Sequence, residues 1–299
     1  MEKRTDSPPA GPEPAPVGDP RYANPDIPEG INVVAEHPLK EFVWLGSGVF
    51  AVAFVLVMLF GWLGHVVGAF VPFETEQRWV AGIAAHFDDA KAGADERRAG
   101  AYLQELADRL VAVDPLPDGM AITMHLSDSR EINAYATLGG HVIVTRGLLA
   151  AMPSENALAM VVAHEIAHIR ERHVIRSLGR GVLTSLALAV VTGSSQADIG
   201  GALVGQAGVT AGLSFSREQE RDADRFALRA VHALYGHVAG AATLFEQALS
   251  EDRYAPPEWL STHPDHARRI AALAQEAGRN RWPLEGPLTP LPDRLRQGE

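Results

Sequence analysis

His164, Glu165 and His168 lie in the run Val161-Val162-Ala163-His164-Glu165-Ile166-Ala167-His168-Ile169, which reads H-E-x-x-H. Two imidazoles four residues apart share one face of an α-helix. At that spacing they can ligate one zinc ion, and Glu165 stands where it can reach a water on that metal. The motif is embedded in Val, Ala and Ile, so its polar side chains would be stranded against a core unless they had a partner. A metal ion is such a partner.

Catalytic zinc takes three protein ligands and leaves a fourth position for water. A third histidine at the end of an extended H-E-x-x-H-x-x-G-x-x-H motif is excluded, because Glu171 stands in place of Gly and Val174 in place of His. The alternative is a downstream carboxylate. No Glu occurs between Arg172 and Arg217. The next acidic residues cluster in Ser216-Arg217-Glu218-Gln219-Glu220-Arg221-Asp222-Ala223-Asp224. Glu220 and Asp224 share a helical face that Phe226, Ala227 and Ala230 continue as an apolar stripe. Facing inward, Glu220 would bind the metal and Asp224 would hydrogen-bond a ligand histidine. Glu218 and Asp222 suit a solvated face.

The helix carrying the motif is expected to start at Ser154, an N-cap behind Pro153, and to run on through Arg170, Arg172 and Arg176. Ahead of it, Ala121–Leu126 and Ile132–Leu138 read as strands. Gly139-Gly140 reads as a two-residue hairpin turn and His141–Thr145 as the returning strand. An exposed edge in such a sheet can accept an extended peptide as an added strand; a purely structural hairpin is the plain alternative. Leu103, Leu106, Leu110 and Val113 have the spacing of an amphipathic helix over Arg97–Val113.

Residues 1–40 are rich in Pro, Gly and charge and are expected to form a disordered arm. Residues 41–73 are the expected membrane anchor. Phe42 to Phe73 contains no Asp, Glu, Lys or Arg, and a membrane helix of about 20 residues fits within it, at 42–63. The run starts too late and is too long for a signal peptide. Flanking Arg and Lys residues balance, so orientation is undetermined by charge. Residues 182–215 form a second apolar tract, broken at Gly193-Ser194-Ser195 and holding Gly200, Gly201, Gly205, Gly208 and Gly212. We read it as a hairpin at the membrane or plugging the site, ahead of a second pair of spans. Residues 74–279 would form the zinc domain, and 280–299 a loosely packed Pro-rich tail.

H-E-I-A-H followed by S-R-x-x-E-x-x-A-D resembles the HtpX/BepA and CAAX-prenyl-protease type of membrane-associated gluzincin metallopeptidase. Asn133 to Leu149 is similar to that family's edge strand and following hairpin. Ser261-Thr262-His263-Pro264 with Arg269 is similar to its late S-T-H-P…R motif. The resemblance covers roughly residues 74–275. It implies an α+β fold, a mainly helical zincin-like peptidase domain with a small β-sheet; the one N-terminal transmembrane helix expected from the apolar run precedes that domain and lies outside the resemblance. The resemblance also implies one zinc ion per chain, held by His164, His168 and Glu220. Glu165 would be the base, and His263 and Arg269 would line the site and stabilise the oxyanion, with adjacent Arg268 as the alternative arginine. The strand segment Asn133, Ala134, Tyr135 and Ala136 would bind substrate.

Composition sets the outer limits. The 299 residues carry a net charge of −11, which opposes nucleic acid as a partner, since its binders present a basic patch. The absence of cysteine excludes disulfides and thiolate metal sites. The expected function is zinc-dependent cleavage of unfolded or extended polypeptide at a bacterial membrane, with the lipid bilayer as second partner and a leaning to the extracytoplasmic face. A non-enzymatic anchored chaperone or assembly factor with a structural zinc is the competing expectation. A small-molecule hydrolase suits an edge strand less well.

Overall fold

The computed structural model describes residues 38–84, 93–193, 215–250, 259, 263 and 266–296. The expected arm, the Gly-rich half of the second apolar tract, and Ser261, Thr262 and Pro264 lie outside the described residues. The chain divides into two compact units, Met1–Phe50 and Ala51–Glu299. The described part of the first is the start of helix α1 (Pro38–Ala69), where Phe42, Trp44 and Phe50 are exposed. The second unit holds the rest of α1 and every later element.

After α1 come α2 (Phe73–Ala84) and α3 (Ala94–Val113), then strands β1 (Thr123–Ser127), β2 (Ala134–Ala136) and β3 (His141–Thr145). Helices α4 (Arg146–Ala151), α5 (Glu155–Arg170), α6 (His173–Thr192), α7 (Arg217–Tyr235), α8 (Thr243–Ser250), α9 (His266–Asn280) and the short α10 (Asp293–Arg296) complete the described elements. The fold is mainly helical with one small mixed sheet, as the resemblance implied. Among the described residues, two helices are long and apolar enough to cross a membrane, Leu39–Ala69 and His173–Thr192.

The sheet order is β1-β3-β2, with β1 parallel and β2 antiparallel to β3. Ala134 pairs with Val144, Tyr135 with Ile143 and Ala136 with Val142. The turn differs from the expected two residues. Leu138, Gly139 and Gly140 form a single 3-10 turn, closed by the Thr137 N–H donating to the His141 carbonyl at 2.8 Å. Gly140 adopts φ 89, and a Cβ there would fall 1.9 Å from the Ala121 carbonyl oxygen, so both its conformation and its surroundings require glycine.

Helix α5 is the axis of the core. Every residue from Glu155 to Ile169 is buried, with α7, α3 and the sheet packed around it. Leu103, Leu106 and Leu110 of α3 lie on its flank, while Val113 at the end of that stripe is partly exposed. Ser154 caps α5 by accepting from the Ala157 N–H at 3.2 Å. The Glu155 carboxylate is held by the Tyr102 hydroxyl, the Tyr235 hydroxyl at 2.8 Å and Arg109 at 2.8 Å. The C-terminal segment packs here too, contrary to the loose tail expected. The Thr289 carbonyl accepts from the Glu155 N–H at 2.8 Å, and the Thr289 N–H donates to Asn156 Oδ1 at 2.8 Å. The segment thereby satisfies a donor that a helix N-terminus leaves open.

The motif helix does not run through Arg172 as expected. It ends at Arg170, and Arg172 takes a left-handed conformation, φ 62, before α6 starts at His173. That conformation costs a non-glycine residue about 1–2 kcal/mol. Arg172 is fixed in it by a 2.6 Å ion pair to Glu76 of α2 and a hydrogen bond to the Val71 carbonyl. The other Glu76 oxygen accepts from the Gly139 N–H at 3.2 Å, so one buried carboxylate joins α2, the hairpin turn and the end of the motif helix.

Candidate metal centre

His164 and His168 project from α5 with their Nε2 atoms 3.1 Å apart. Glu220 comes from the first turn of α7, a helix set by Ser216, which accepts from the Gln219 N–H while the Gln219 side chain accepts from the Ser216 N–H. Glu220 Oε2 lies 3.4 Å from His164 Nε2, and Oε1 lies 3.7 Å from His168 Nε2. His263 brings its Nδ1 to 3.3 Å from His164 Nε2 and 2.8 Å from Glu220 Oε1. All four side chains are buried, and one donor atom from each lies within 4.8 Å of the others.

This set fits zinc. Ligand atoms about 2.0–2.2 Å from a tetrahedral zinc stand roughly 3.3–3.5 Å from one another, close to the separations found here. Glu220 Oε2 is buried and accepts no hydrogen bond; Arg269 Nη1 is 2.8 Å away, near enough for charge pairing but outside hydrogen-bond geometry. A metal ion would use that lone pair. His263 was expected to line the site and help stabilise the oxyanion. The structure places its Nδ1 in the fourth corner of the set, and its Nε2 lies 3.6 Å from Glu165 Oε1.

Behind these donors lies a second layer. Asp224, one turn after Glu220 on α7, sits 3.1 Å from His164 Nδ1. Arg269 of α9 grips Asp224 through Nε at 2.8 Å and Nη2 at 2.6 Å. Arg269 is buried, whereas its neighbour Arg268 is exposed, so Arg269 is the arginine at the centre. Its guanidinium is engaged with Asp224 and Glu220, which places it as an anchor of the ligand set. Without a metal, burial pushes the His164 imidazole down, but the hydrogen bond to Asp224 and the adjacent Glu220 carboxylate outweigh it and raise the ring to about 9. Burial also acts on His168, which is held well below the usual histidine range with protonated His164 beside it. Burial opposes ionisation of Glu220, yet the charges of His263 and His164 and the hydrogen bond from His263 keep it far below the usual carboxylate range.

Glu165 is fully buried and accepts two hydrogen bonds, from the Ala136 N–H at 3.0 Å and from Trp259 Nε1 at 2.9 Å. The Ala136 contact locates the expected substrate strand. The Asn133 carbonyl and Thr137 N–H bond to β3, so alternation turns the backbone of Asn133 and Tyr135 inward to β3 and that of Ala134 and Ala136 toward the outer edge. That edge faces Glu165.

Three contacts were not foreseen. His173, the first residue of α6, places Nδ1 3.0 Å from His168 Nδ1 and fixes that ring. Phe215 stacks on His168 with ring centroids 3.8 Å apart. Trp259 holds Glu165 and stacks on His263 at 4.9 Å. The only trace of His173 in the sequence is its place beside Val174, where an extended motif would need histidine; Trp259 and Phe215 leave none.

The profile of peptidase family M48 matches residues 97–277. The beta-barrel assembly-enhancing protease of Escherichia coli is 32% identical over 169 residues, which is 52% of this chain and 34% of that protein. Its counterpart in Yersinia pestis is 31% identical over 189 residues, 59% of this chain and 38% of that protein. The mitochondrial metalloendopeptidase OMA1 of Danio rerio is 30% identical over 165 residues, 50% of this chain and 34% of that protein. The matched region thus spans about a third of each relative's length.

Proposed function

This chain belongs to peptidase family M48, and we propose that it is a membrane-anchored, zinc-dependent endopeptidase for unfolded or extended polypeptides. The observation that carries this reading is the buried donor set of His164, His168 and Glu220 with Glu165 at its border and a strand edge on Glu165's other side. When bound, zinc would polarise the scissile carbonyl and acidify the attacking water. Glu165 takes a proton from that water and returns it to the leaving amine. Ala136 N–H and Trp259 Nε1 hold the Glu165 carboxylate in place. Asp224 and Arg269 fix the orientation of His164 and Glu220. The outer edge of β2 pairs with the substrate as an added strand through the Ala134 backbone and the Ala136 carbonyl, the Ala136 N–H being committed to Glu165. His263 Nδ1 lies among the four donors, so an open position for water would need that ring to move aside, from where it would donate to the oxyanion.

Residues 41–73 serve as the anchor in this reading, and 74–279 as the catalytic domain. The bacterial relatives are named for enhancing beta-barrel assembly. By extension, the substrate class is envelope or membrane protein that has failed to fold, cut on the extracytoplasmic face.

A second reading has one observation in its favour. Four buried protein donors close a metal site, and a closed site is structural. The chain would then be an anchored assembly factor. The two part on one experiment with the full chain in detergent. The peptidase reading expects one zinc per chain, cleavage of an unfolded protein, loss of cleavage with a chelator and recovery on zinc addition. Tightly held zinc with no cleavage of any unfolded protein would overturn it in favour of the second reading.

A further inference from the structure

Helices α1 and α6 cross at unusually close range. A Cβ on Gly64 would lie 2.1 Å from the Gly179 carbonyl oxygen, one on Gly68 2.7 Å from the Ile175 oxygen, and one on Gly61 2.8 Å from Thr184 Oγ1. Residues later in α1 thus meet residues earlier in α6, so the helices are antiparallel. Their apolar ends lie on the same side of the crossing. On α1 most of the exposed apolar residues lie before Leu63, with Val67 and, just past the helix end, Phe70 exposed beyond it, and on α6 Leu186, Leu188 and Val190 are exposed. The crossing therefore falls where an apolar slab gives way to the peptidase domain.

A cavity of about 490 Å³ opens at that level, bounded by α1, α6 and the first turns of α7. Its walls differ in charge. Arg176 and Arg180, one turn apart on α6, stand on one side with His65 and Trp62 of α1. Glu218 and Asp222 of α7 stand on the other. Arg176 Nε is buried and has no hydrogen-bond partner among the described residues. Among the described residues, Arg180 makes a single long hydrogen bond, 3.5 Å to Ser177 Oγ. Asp222 pairs with Arg225, and Glu218 is exposed. Two guanidiniums in reach of one cavity, one with an unspent buried donor, suit a phosphate. Carboxylates on the facing wall suit an ammonium group. Val57 and Met58, which also line the cavity, continue it along the apolar face of α1.

We infer that this cavity binds the headgroup of an amine-bearing phospholipid, its phosphate on Arg176 and Arg180 and its ammonium toward Glu218 and Asp222. The acyl chains lie along α1 and α6, and Trp62 marks the interface. The inference rests on reading α1 as a membrane helix. It also gives α6 a role: the helix begins at His173, against the ligand histidine His168, and lines the lipid site from His173 through Arg180 over its first two turns.

The test titrates the delipidated full chain in detergent with phosphatidylethanolamine, phosphatidylglycerol and inorganic phosphate, read by native mass spectrometry. Phosphatidylethanolamine should bind at one per chain, tighter than phosphatidylglycerol. The double change Arg176→Gln, Arg180→Gln should weaken it by about tenfold or more, with circular dichroism unchanged. Glu218→Gln, at an exposed position, should remove the preference for phosphatidylethanolamine while leaving phosphate-dependent binding. Equal binding of both lipids by wild type, or binding indifferent to the arginine changes, overturns the inference. So does inorganic phosphate that displaces the lipid at comparable concentration, which would mark a free-anion site. Alkaline extraction of native membranes separates the two readings. A chain released into solution sinks the membrane helix and the lipid site together, whereas a retained chain without lipid selectivity sinks the site alone.

Discussion

Asp224 and Arg269 contribute no donor to the ligand cluster, yet they decide how His164 and Glu220 present theirs. Loss of such a supporting group typically costs 10–100-fold in metal affinity. Asp224→Asn is therefore expected to weaken zinc binding by about 10–100-fold, measured by competition with a chromogenic chelator, while the helical content of the chain is kept. Unchanged affinity would remove Asp224 from the site. The motif residues and the Glu220/Asp224 pair were legible in sequence, because four-residue spacing on a helix is a geometric statement. Trp259 was not legible, since a single indole far along the chain has no spacing relation to Glu165. His173 was hidden by the turn at Arg172: continued as one helix, residues 168 and 173 do not face each other, and only the left-handed residue brings them within 3.0 Å.

At the scale of elements, helix α5 is placed by what happens at its two ends. At its start, burial pushes the Glu155 carboxyl up, but hydrogen bonds from Arg109, Tyr102 and Tyr235 outweigh this and hold it below the usual carboxylate range. A group with a depressed folded-state pKa stabilises the fold above its unfolded value, about 4.3, and that contribution is lost as pH falls through the folded value. Glu155→Gln should accordingly show a shallower loss of stability than wild type as pH is lowered below about 4.3, in denaturant titrations at several pH values. Parallel pH curves would argue that Glu155 is not ionised in the fold. The α1–α6 crossing makes a separate demand. Gly179→Ala sets a Cβ 2.3 Å from the Gly64 carbonyl oxygen and should cost about 1–3 kcal/mol, seen as a lower thermal midpoint in detergent. Gly181→Ala, with open space at its Cβ, should hold or raise the midpoint. The apolar run of α1 and the apolar tract that ends α6 were readable from hydropathy, and so was the break at Gly193, whereas the start of α6 at His173 was not. The crossing was not, because which glycines touch depends on the angle at which α6 leaves Arg172.

For the molecule as a whole, the apolar helix Leu39–Ala69 and the exposed apolar end of α6 argue for a bilayer as the surrounding medium. The full chain should stay in the membrane pellet through alkaline extraction and leave it only with detergent; release at high pH would contradict the anchor. The general plan, one apolar helix followed by a helical zinc domain with a small sheet, was available from the sequence. The strapping of residues 283–291 onto the start of α5 was not, because a Pro-rich segment without periodicity carries no sign of where its backbone bonds go. If Glu165 performs chemistry at a metal held by other residues, Glu165→Gln should keep zinc at the wild-type level while turnover of an unfolded protein, assayed on the same preparation, falls by about 10²–10⁴-fold; chelator-sensitive cleavage at the wild-type rate would rule Glu165 out as the base.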